Sequence, residues 1–108
     1  MTQGDIIRAD LSPTEGHEQN GFRPLLIVSN RIVNKTGLAF VCPITNNSKR
    51  FPTRIPLDER TDTEGSILTD QVRTIDLNAR NARYIERCPA DILDRALQTL
   101  QACIVQPA

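Results

Sequence analysis

The sequence predicts a mainly β domain with short helices, a small and strongly bent sheet or barrel crossed by a C-terminal helix. Five to seven short apolar segments alternate with turn-forming residues, a pattern typical of small barrels. Near the C terminus, one segment repeats apolar residues at i, i+3 and i+4 spacing, which predicts an amphipathic helix. The chain has 108 residues. We therefore expect a single domain, residues 1–108, that can bury a core without disulfides or metals.

Three strands are predicted in the first half of the chain. Their expected bounds are Gly4–Asp10, Phe22–Ser29 and Leu38–Cys42. The second strand is apolar on both faces, so it should lie at the centre of the sheet. A helical turn is predicted at Asn30–Asn34, and Pro43 is expected to end the third strand.

Further strands and the helix are predicted in the second half. The expected strand bounds are Thr53–Leu57, Gly65–Leu68, Asp70–Ile75 and Arg83–Arg87, with a short helical turn at Asp76–Ala82. Pro56 indicates an edge strand. Pro89 and Asp91 suit the first turn of a helix. The apolar stripe of that helix, expected to pack across the sheet, comprises Ile92, Leu93, Ala96, Leu97, Leu100 and Ile104.

Composition narrows the classes of partner. The aromatic residues are three Phe, one Tyr and no Trp, so we expect an aliphatic core and no wall of aromatics stacking on bases. The formal net charge of zero argues against binding long nucleic acid by bulk charge, although a local basic cleft is compatible with it. Among 13 cationic residues only Lys35 and Lys49 are lysine. This bias towards Arg suits anionic ligands, and surface ion pairs explain it equally well.

Cysteine usage and hydropathy indicate a cytoplasmic protein. The three cysteines are widely spaced and form no CxxC motif, which predicts a reducing compartment with no disulfide framework and no zinc site. Scattered carboxylates and a single His lack metal-ligand spacing, so neither a metal nor another cofactor is expected. We find no signal peptide and no apolar run approaching the roughly 18 residues of a membrane span.

The polar segment 15–24 holds the chain's single histidine and is the first candidate for chemistry. His17 and Glu18 are adjacent in a predicted loop, and such a pair can exchange protons near neutral pH. Arg23, at the start of the next strand, can neutralise charge on a phosphoryl or acyl oxygen. A solvated hydrogen-bonding pair is the alternative interpretation of His17 and Glu18.

Two further polar positions follow predicted strands. Thr45 precedes the basic loop 46–50, where its hydroxyl can hold a phosphate or, alternatively, cap a turn. In a regular strand, Asp70 would lie on one face and Gln71 and Arg73 on the other. Asp70 can orient His17 or bind a ligand, Gln71 can tie the loop to the sheet, and a structural Asp–Arg pair is the alternative.

The order of these motifs resembles the MazF/PemK toxin family, and within it the Kid and ChpB branches. The resemblance covers nearly the whole chain. The segments that carry it are Gly4–Ile7, Asp10–Thr14, Gly16–Gln19 with Gly21, Arg23-Pro24, Val41–Thr45 and Thr69–Asp76.

The resemblance implies a compact SH3-like β-barrel, similar to CcdB, MazF and Kid, that acts as a homodimer. It implies a metal-independent, sequence-specific endoribonuclease that cleaves single-stranded RNA, especially mRNA. In the family the RNA 2′-hydroxyl attacks the adjacent phosphate, leaving a 2′,3′-cyclic phosphate and a 5′-hydroxyl, and a cognate antitoxin blocks the site. A binding-only toxin similar to the gyrase poison CcdB is the alternative, because the same fold serves both functions. An inert homologue that sequesters the antitoxin is a third possibility.

The resemblance also implies roles for individual residues. Arg23 and Thr45 match the family's most general catalytic pair, Glu18 matches an acidic residue beside them, and His17 and Asp70 match acid/base positions of the Kid branch. That branch carries an Arg where this chain has Leu68, so we assign the acid or charge-stabilising role to Arg23 and the base to Glu18 or His17. The residues expected to contact RNA are Gln19, Asn46, Lys49, Arg50, Gln71 and Arg73. Segments 46–54 and 58–64 are expected to read its sequence.

Overall fold

The computed structural model describes residues 1–11, 22–47 and 49–108. Within these ranges it contains seven strands, two α-helices and one 3₁₀ turn. In chain order these are β1 (Asp5–Asp10), β2 (Phe22–Ile27), α1 (Arg31–Asn34), β3 (Leu38–Thr45), β4 (Arg54–Pro56), β5 (Ser66–Leu68), the 3₁₀ turn (Thr69–Gln71), β6 (Arg73–Asp76), β7 (Arg83–Arg87) and α2 (Ala90–Ile104). The mainly β fold with a C-terminal helix is confirmed.

The strands form one antiparallel sheet in the order β4-β5-β3-β2-β1-β7, with β6 paired to β3. The prediction that β2 is central and that β4, with Pro56, is an edge strand is confirmed. In the described part of the chain β4 and β7 do not pair with each other. The sheet therefore remains open between its two end strands.

Strand β3 is longer than predicted, because it continues through Pro43 to Thr45. On one side, β3 pairs with β2 from Val41 to Pro43. On the other side, it pairs with β6 up to Val41 and with β5 from Ile44. Pro43 thus lies where β3 changes from pairing with β6 to pairing with β5, and on that side of β3 the ladder is interrupted at Pro43. A proline, which has no N–H to donate, is tolerated at such a position.

The two faces of the sheet bury two separate aliphatic clusters, because successive residues of a strand point to opposite faces. Ile6, Leu26 and Cys42 lie on the face covered by α2. Ile7, Leu25, Ile27 and Val41 lie on the other face. All four aromatic side chains are exposed, at 38–60% of their surface, so the prediction of an aliphatic core is confirmed.

Helix α2 packs across the sheet through the predicted stripe, of which Ile92, Leu93, Ala96 and Leu100 are buried. The last member, Ile104, was expected to pack but is 70% exposed, because no described element covers the final turn. Neither helix in the described ranges has the length and hydropathy that a membrane span requires.

The strand predicted at Asp70–Ile75 begins only at Arg73, because residues 69–71 form the 3₁₀ turn. The buried Thr69 anchors this turn: its N–H and its hydroxyl both donate to the Thr53 carbonyl, at 3.2 Å and 2.6 Å. The alternation of faces expected for Asp70 and Gln71 therefore does not apply. The helical turn expected at 76–82 is a set of hydrogen-bonded turns, in which the Asp76 carboxylate accepts from two backbone N–H groups at 3.0 Å.

Candidate active site

Arg23 and Thr45 lie at neighbouring ends of β2 and β3. The paired residues of these strands end with Leu25 and Pro43, so Arg23 and Thr45 each lie two residues beyond the last pair. Continued by two residues, the antiparallel register sets them opposite each other. Both then share the sheet face of Leu25, since residues two apart in a strand point the same way. The sequence-predicted catalytic pair is therefore positioned by adjacent strands.

Thr45 is held from both sides. Its hydroxyl accepts the Asn47 N–H at 3.3 Å, which is the turn-capping geometry considered from the sequence, and the hydroxyl proton remains available to donate. Its strand partner in β5 is Ser66. Gly65 comes so close that a Cβ on it would lie 2.1 Å from the Thr45 carbonyl oxygen. Gly65 also has φ +119°, so this packing against Thr45 requires glycine on both counts.

A polar groove is lined in part by Ser66, the strand partner of Thr45. Its larger part has a volume of about 540 Å³ and is lined by Lys49, Arg50, Phe51, Pro52, Arg54, Pro56, Ser66 and Arg95. A smaller part of about 250 Å³ is lined by Lys49, Arg50, Phe51, Arg54, Asp70 and Gln71. We refer to both parts together as the basic groove. It brings together four of the residues predicted from the sequence: Lys49, Arg50, Asp70 and Gln71.

The basic groove concentrates positive charge in a chain whose formal net charge is zero. Lys49, Arg50, Arg54 and Arg95 line it, and Asp70 is the one acidic side chain among the described residues that line it. Within residues 1–11, 22–47 and 49–108, none of these four cations forms an ion pair. Unpaired cations along a groove are suited to binding the phosphates of a nucleic acid.

Asp70 is exposed on the 3₁₀ turn and is close enough to β3 to act on a buried thiol there. Burial, together with the negative charge of Asp70 and the Cys103 thiol, raises the pKa of Cys42 to about 12. Cys42 is therefore a neutral core residue and not a nucleophile. Asp70 itself faces the basic groove, where a carboxylate can bind a ligand group or accept a proton.

A second cavity, of about 380 Å³, lies beside Pro24 and Asn46, and Asp62, Thr63 and Glu64 form one of its walls. This wall belongs to the segment 58–64 that was expected to read RNA. Glu86 fixes the wall, since its carboxylate accepts the Asp62 N–H at 3.0 Å and the Thr63 N–H and hydroxyl at 2.7 Å.

The same segment is also tied to α2. The Arg60 guanidinium bridges Asp58 and Asp91, and these hydrogen bonds lower the pKa of both carboxyl groups. Because Arg60 and Glu86 both hold segment 58–64, it forms a fixed side of the second cavity.

Several predicted site residues do not reach the basic groove. Asn46 lines the second cavity, and Arg73 lies exposed on β6 opposite Val41. His17, Glu18 and Gln19 lie outside the described residues. In the described part of the chain, no group of three His, Cys, Asp or Glu side chains is arranged to hold a metal ion.

Sequence reasoning did not single out Phe51, Arg54, Arg95 or Gly65. Phe51 and Arg54 lay inside the segment expected to read RNA, and the signal for Phe51 was an isolated aromatic before Pro52 in a basic loop. Arg95 lies outside the apolar stripe of α2, so the helical pattern gives it no role beyond a solvent-exposed position. The role of Gly65 depends on a contact with Thr45, which no local pattern reveals.

Residues 2–104 match the family model described as PemK-like, MazF-like toxin of type II toxin–antitoxin system. The endoribonuclease toxin ChpB of Escherichia coli K12 is 37% identical over 107 residues, covering 94% of this chain and 92% of ChpB. The endoribonuclease PemK of Escherichia coli is 38% identical over 109 residues, covering 96% of this chain and 82% of PemK. The chain belongs to the PemK/MazF toxin family.

The fold agrees with this assignment. The crystal structure of MazE–MazF (form II) from Deinococcus radiodurans superposes with a TM-score of 0.86 at 32% sequence identity. The superposition covers 94% of this chain and 93% of the Deinococcus chain. Family membership thus rests on sequence similarity along almost the whole chain and on the same arrangement of strands and helix.

Proposed function

We propose that this chain is the toxin of a toxin–antitoxin pair and acts as a sequence-specific endoribonuclease on single-stranded RNA. Relatives similar along nearly their whole length are named endoribonucleases. The structural observation that carries the proposal is the position of Arg23 and Thr45 at neighbouring strand ends, together with the groove that Ser66, the strand partner of Thr45, lines with four cations. In a chain with zero net charge, such a local concentration of cations is where a polyanion can bind.

The proposed reaction is attack by the RNA 2′-hydroxyl on the adjacent phosphorus. A base removes the proton from the 2′-hydroxyl, the 2′-oxygen bonds to phosphorus, and the bond from phosphorus to the 5′-oxygen breaks. The leaving oxygen takes up a proton, which gives a 2′,3′-cyclic phosphate and a 5′-hydroxyl. We assign the base to Glu18 or His17, and Asp70 is the carboxylate that faces the basic groove. The reaction as proposed requires no metal.

Arg23 is assigned to the charge that develops on the phosphoryl oxygens. A guanidinium stays protonated at neutral pH and offers several donors in one plane, so it suits a crowded, negatively charged phosphorus centre better than it suits fast proton transfer. Thr45 is assigned to orient the phosphate through its hydroxyl, whose oxygen is already fixed by the Asn47 N–H.

The buried Leu68, in place of the Kid-branch Arg, is compatible with this assignment. Arg54 of β4 is the direct strand partner of Leu68 and lines the basic groove together with Asp70. A guanidinium thus reaches the groove from the neighbouring strand.

Three further properties are part of the proposal. A cognate antitoxin covers the RNA site, as expected for the toxin of a type II system. The chain works as a homodimer, which sedimentation equilibrium can test. It acts in the cytoplasm, where its RNA substrate is found.

Replacing Arg23 by Ala tests the catalytic assignment. Arg23 is exposed near the start of β2, so Arg23→Ala should keep the fold while cleavage of a defined RNA slows by roughly 10²–10³-fold. Arg31→Ala is the matched control, because Arg31 is an exposed arginine on α1. The control should cleave at the wild-type rate.

Circular dichroism and sedimentation of both variants separate catalysis from folding. A folded Arg23→Ala variant that cleaves like the control would remove Arg23 from the mechanism. An unfolded one would show that the residue is structural. If the wild-type protein leaves RNA intact but binds a protein target, the CcdB-like alternative replaces the nuclease.

A further inference from the structure

Phe51 is the most exposed aromatic side chain of this protein, with 60% of its surface accessible. Burial of a phenyl ring is among the larger stabilising contributions available to a small domain. The fold instead presents this ring on the wall of the basic groove, in both its larger and its smaller part. An apolar ring in a polar groove needs a reason other than core packing.

The backbone holds the ring in a defined place. Residues 51–54 form a turn closed by a 2.9 Å hydrogen bond from the Arg54 N–H to the Phe51 carbonyl, and Pro52 stiffens its second position. The next residue, Thr53, accepts the two hydrogen bonds from the buried Thr69. The ring is therefore attached to the same anchor as the 3₁₀ turn that carries Asp70, and little ordering would be needed on binding.

Cations line the groove together with the ring. Lys49, Arg50 and Arg54 line both parts of the groove, and Arg95 of α2 lines the larger part. A flat apolar surface flanked by cations matches the chemistry of a single-stranded nucleotide, which has a π-face on one side and a phosphate on each end. A duplex hides its base faces and does not fit this surface.

We propose that Phe51 is a stacking platform for one nucleobase of the RNA, with Lys49, Arg50 and Arg54 contacting the flanking phosphates. This deepens the proposed ribonuclease function and rests on it. Ser66, the strand partner of Thr45, and Phe51 both line the larger part of the groove. We therefore assign the stacked base to a nucleotide near the cleaved phosphate, so that the platform contributes to binding and to the choice of cleavage site.

The other exposed aromatics differ in their surroundings. Phe22 lies with Arg8, Arg83 and Ile85 in a separate cavity. Phe40 lies on β3 opposite Thr74, and Tyr84 lies on β7. None of these three aromatics lines the part of the groove that holds Asp70 and Gln71. Tyr84, which is 55% exposed, therefore provides a matched control for loss of an exposed aromatic ring.

The test compares Phe51→Leu, Phe51→Trp and Tyr84→Leu on an RNA whose cleavage site has been mapped with the wild-type protein. Binding is measured by fluorescence anisotropy on the same RNA with a 2′-deoxy nucleotide at that site, which prevents cleavage. Phe51→Leu should weaken binding and raise KM about 5- to 150-fold, the range for loss of one stacked base, while kcat changes less than about threefold. Phe51→Trp and Tyr84→Leu should bind within about threefold of the wild type.

Because the chain contains no Trp, Phe51→Trp also gives a direct spectroscopic readout. Stacking on a base should quench the fluorescence of the introduced indole as RNA is titrated. Replacing nucleotides one at a time by an abasic residue then identifies the stacked base. The abasic substitution at that position should strongly weaken RNA binding by the wild-type protein. It should change RNA binding by Phe51→Leu little.

The outcomes separate this inference from the proposed function. Absence of RNA cleavage by the wild-type protein would overturn the proposed function and the platform with it. Normal cleavage with equal RNA affinity for Phe51→Leu and wild type would overturn the platform alone. So would unchanged indole fluorescence at saturating RNA. A Phe51→Leu variant that loses affinity for the antitoxin but not for RNA would reassign the ring to the protein partner.

Discussion

Replacement of Gly65 by Ala should destabilise the protein and disturb Thr45 in one step. An alanine Cβ at this position would lie 2.1 Å from the Thr45 carbonyl oxygen and 2.7 Å from its carbonyl carbon. These are backbone atoms, so neither can move aside as a side chain would. The residue also has φ +119°, a conformation that alanine adopts only under strain.

The magnitude follows from these two terms. Strained backbone at a non-glycine residue costs about 1–3 kcal/mol, and overpacking against fixed atoms adds about 1–3 kcal/mol. Gly65→Ala should therefore lower the free energy of unfolding by about 2–6 kcal/mol. Such a loss is a large part of the roughly 5–15 kcal/mol that stabilises a typical domain.

Gly37→Ala isolates the first term. Gly37 has φ +92°, and a Cβ there would meet nothing within 4 Å. Gly37→Ala should therefore lower the free energy of unfolding by the backbone strain alone, about 1–3 kcal/mol. Urea unfolding followed by circular dichroism gives both values, and RNA cleavage by the folded fraction reports on Thr45. Equal losses of unfolding free energy for Gly65→Ala and Gly37→Ala would refute the close approach of Gly65 to Thr45. Full RNA-cleavage activity of folded Gly65→Ala would refute it as well.

Two further predictions concern the thiols and the partly buried carboxylate of Glu86. At pH 8 only the exposed Cys103 should react rapidly with a disulfide reagent, since burial raises the pKa of Cys42 to about 12 and of Cys88 to about 11. In guanidinium all three thiols should react. A second rapidly reacting thiol in the native protein would contradict the burial of Cys42 and Cys88. Burial raises the pKa of Glu86, but the hydrogen bonds from Thr63 and Asp62 outweigh it and hold the pKa below 4.5. Glu86 therefore stabilises the fold above about pH 4.5, and this stabilisation is lost as the pH falls through the pKa of the folded state. Glu86→Gln should lower the free energy of unfolding, measured in urea, by about 1 kcal/mol at pH 7 and by clearly less at pH 3. A loss that does not depend on pH would contradict a charged Glu86 carboxylate as the acceptor.

The elements that could be predicted from the sequence are those whose signals are local. The spacing of Ile92, Leu93, Ala96 and Leu100 predicts α2, because each buried position recurs with the helical period. Pro56 predicts an edge strand, because a proline cannot donate to a ladder. The aliphatic core follows from the small number of aromatic residues.

The errors arise where distant contacts override a local pattern. Pro43 does not end β3, because the strand exchanges one neighbour for another there. Residues 69–71 leave the extended conformation because Thr69 bonds to Thr53, sixteen residues earlier. The stripe of α2 includes Ile104, but the pattern does not show where the sheet beneath the helix ends.

The candidate site divides in the same way. The sequence predicts Lys49, Arg50, Asp70 and Gln71 as site residues from their polar and charged side chains, and the fold brings these four together in one groove. Phe51 was not marked, because an aromatic residue in a loop has no periodicity by which to be recognised. Its place among the cations depends on the turn at residues 51–54.

The central claim is that the protein cleaves RNA through the 2′-hydroxyl. The most direct measurement incubates the purified protein, in EDTA, with one RNA and with the same RNA carrying a single 2′-deoxy nucleotide on the 5′ side of the cleaved bond. We expect the all-ribose RNA to yield a 2′,3′-cyclic phosphate and a 5′-hydroxyl and the substituted RNA to remain intact at that bond. Cleavage of the 2′-deoxy bond, or a requirement for a metal ion, would contradict the account.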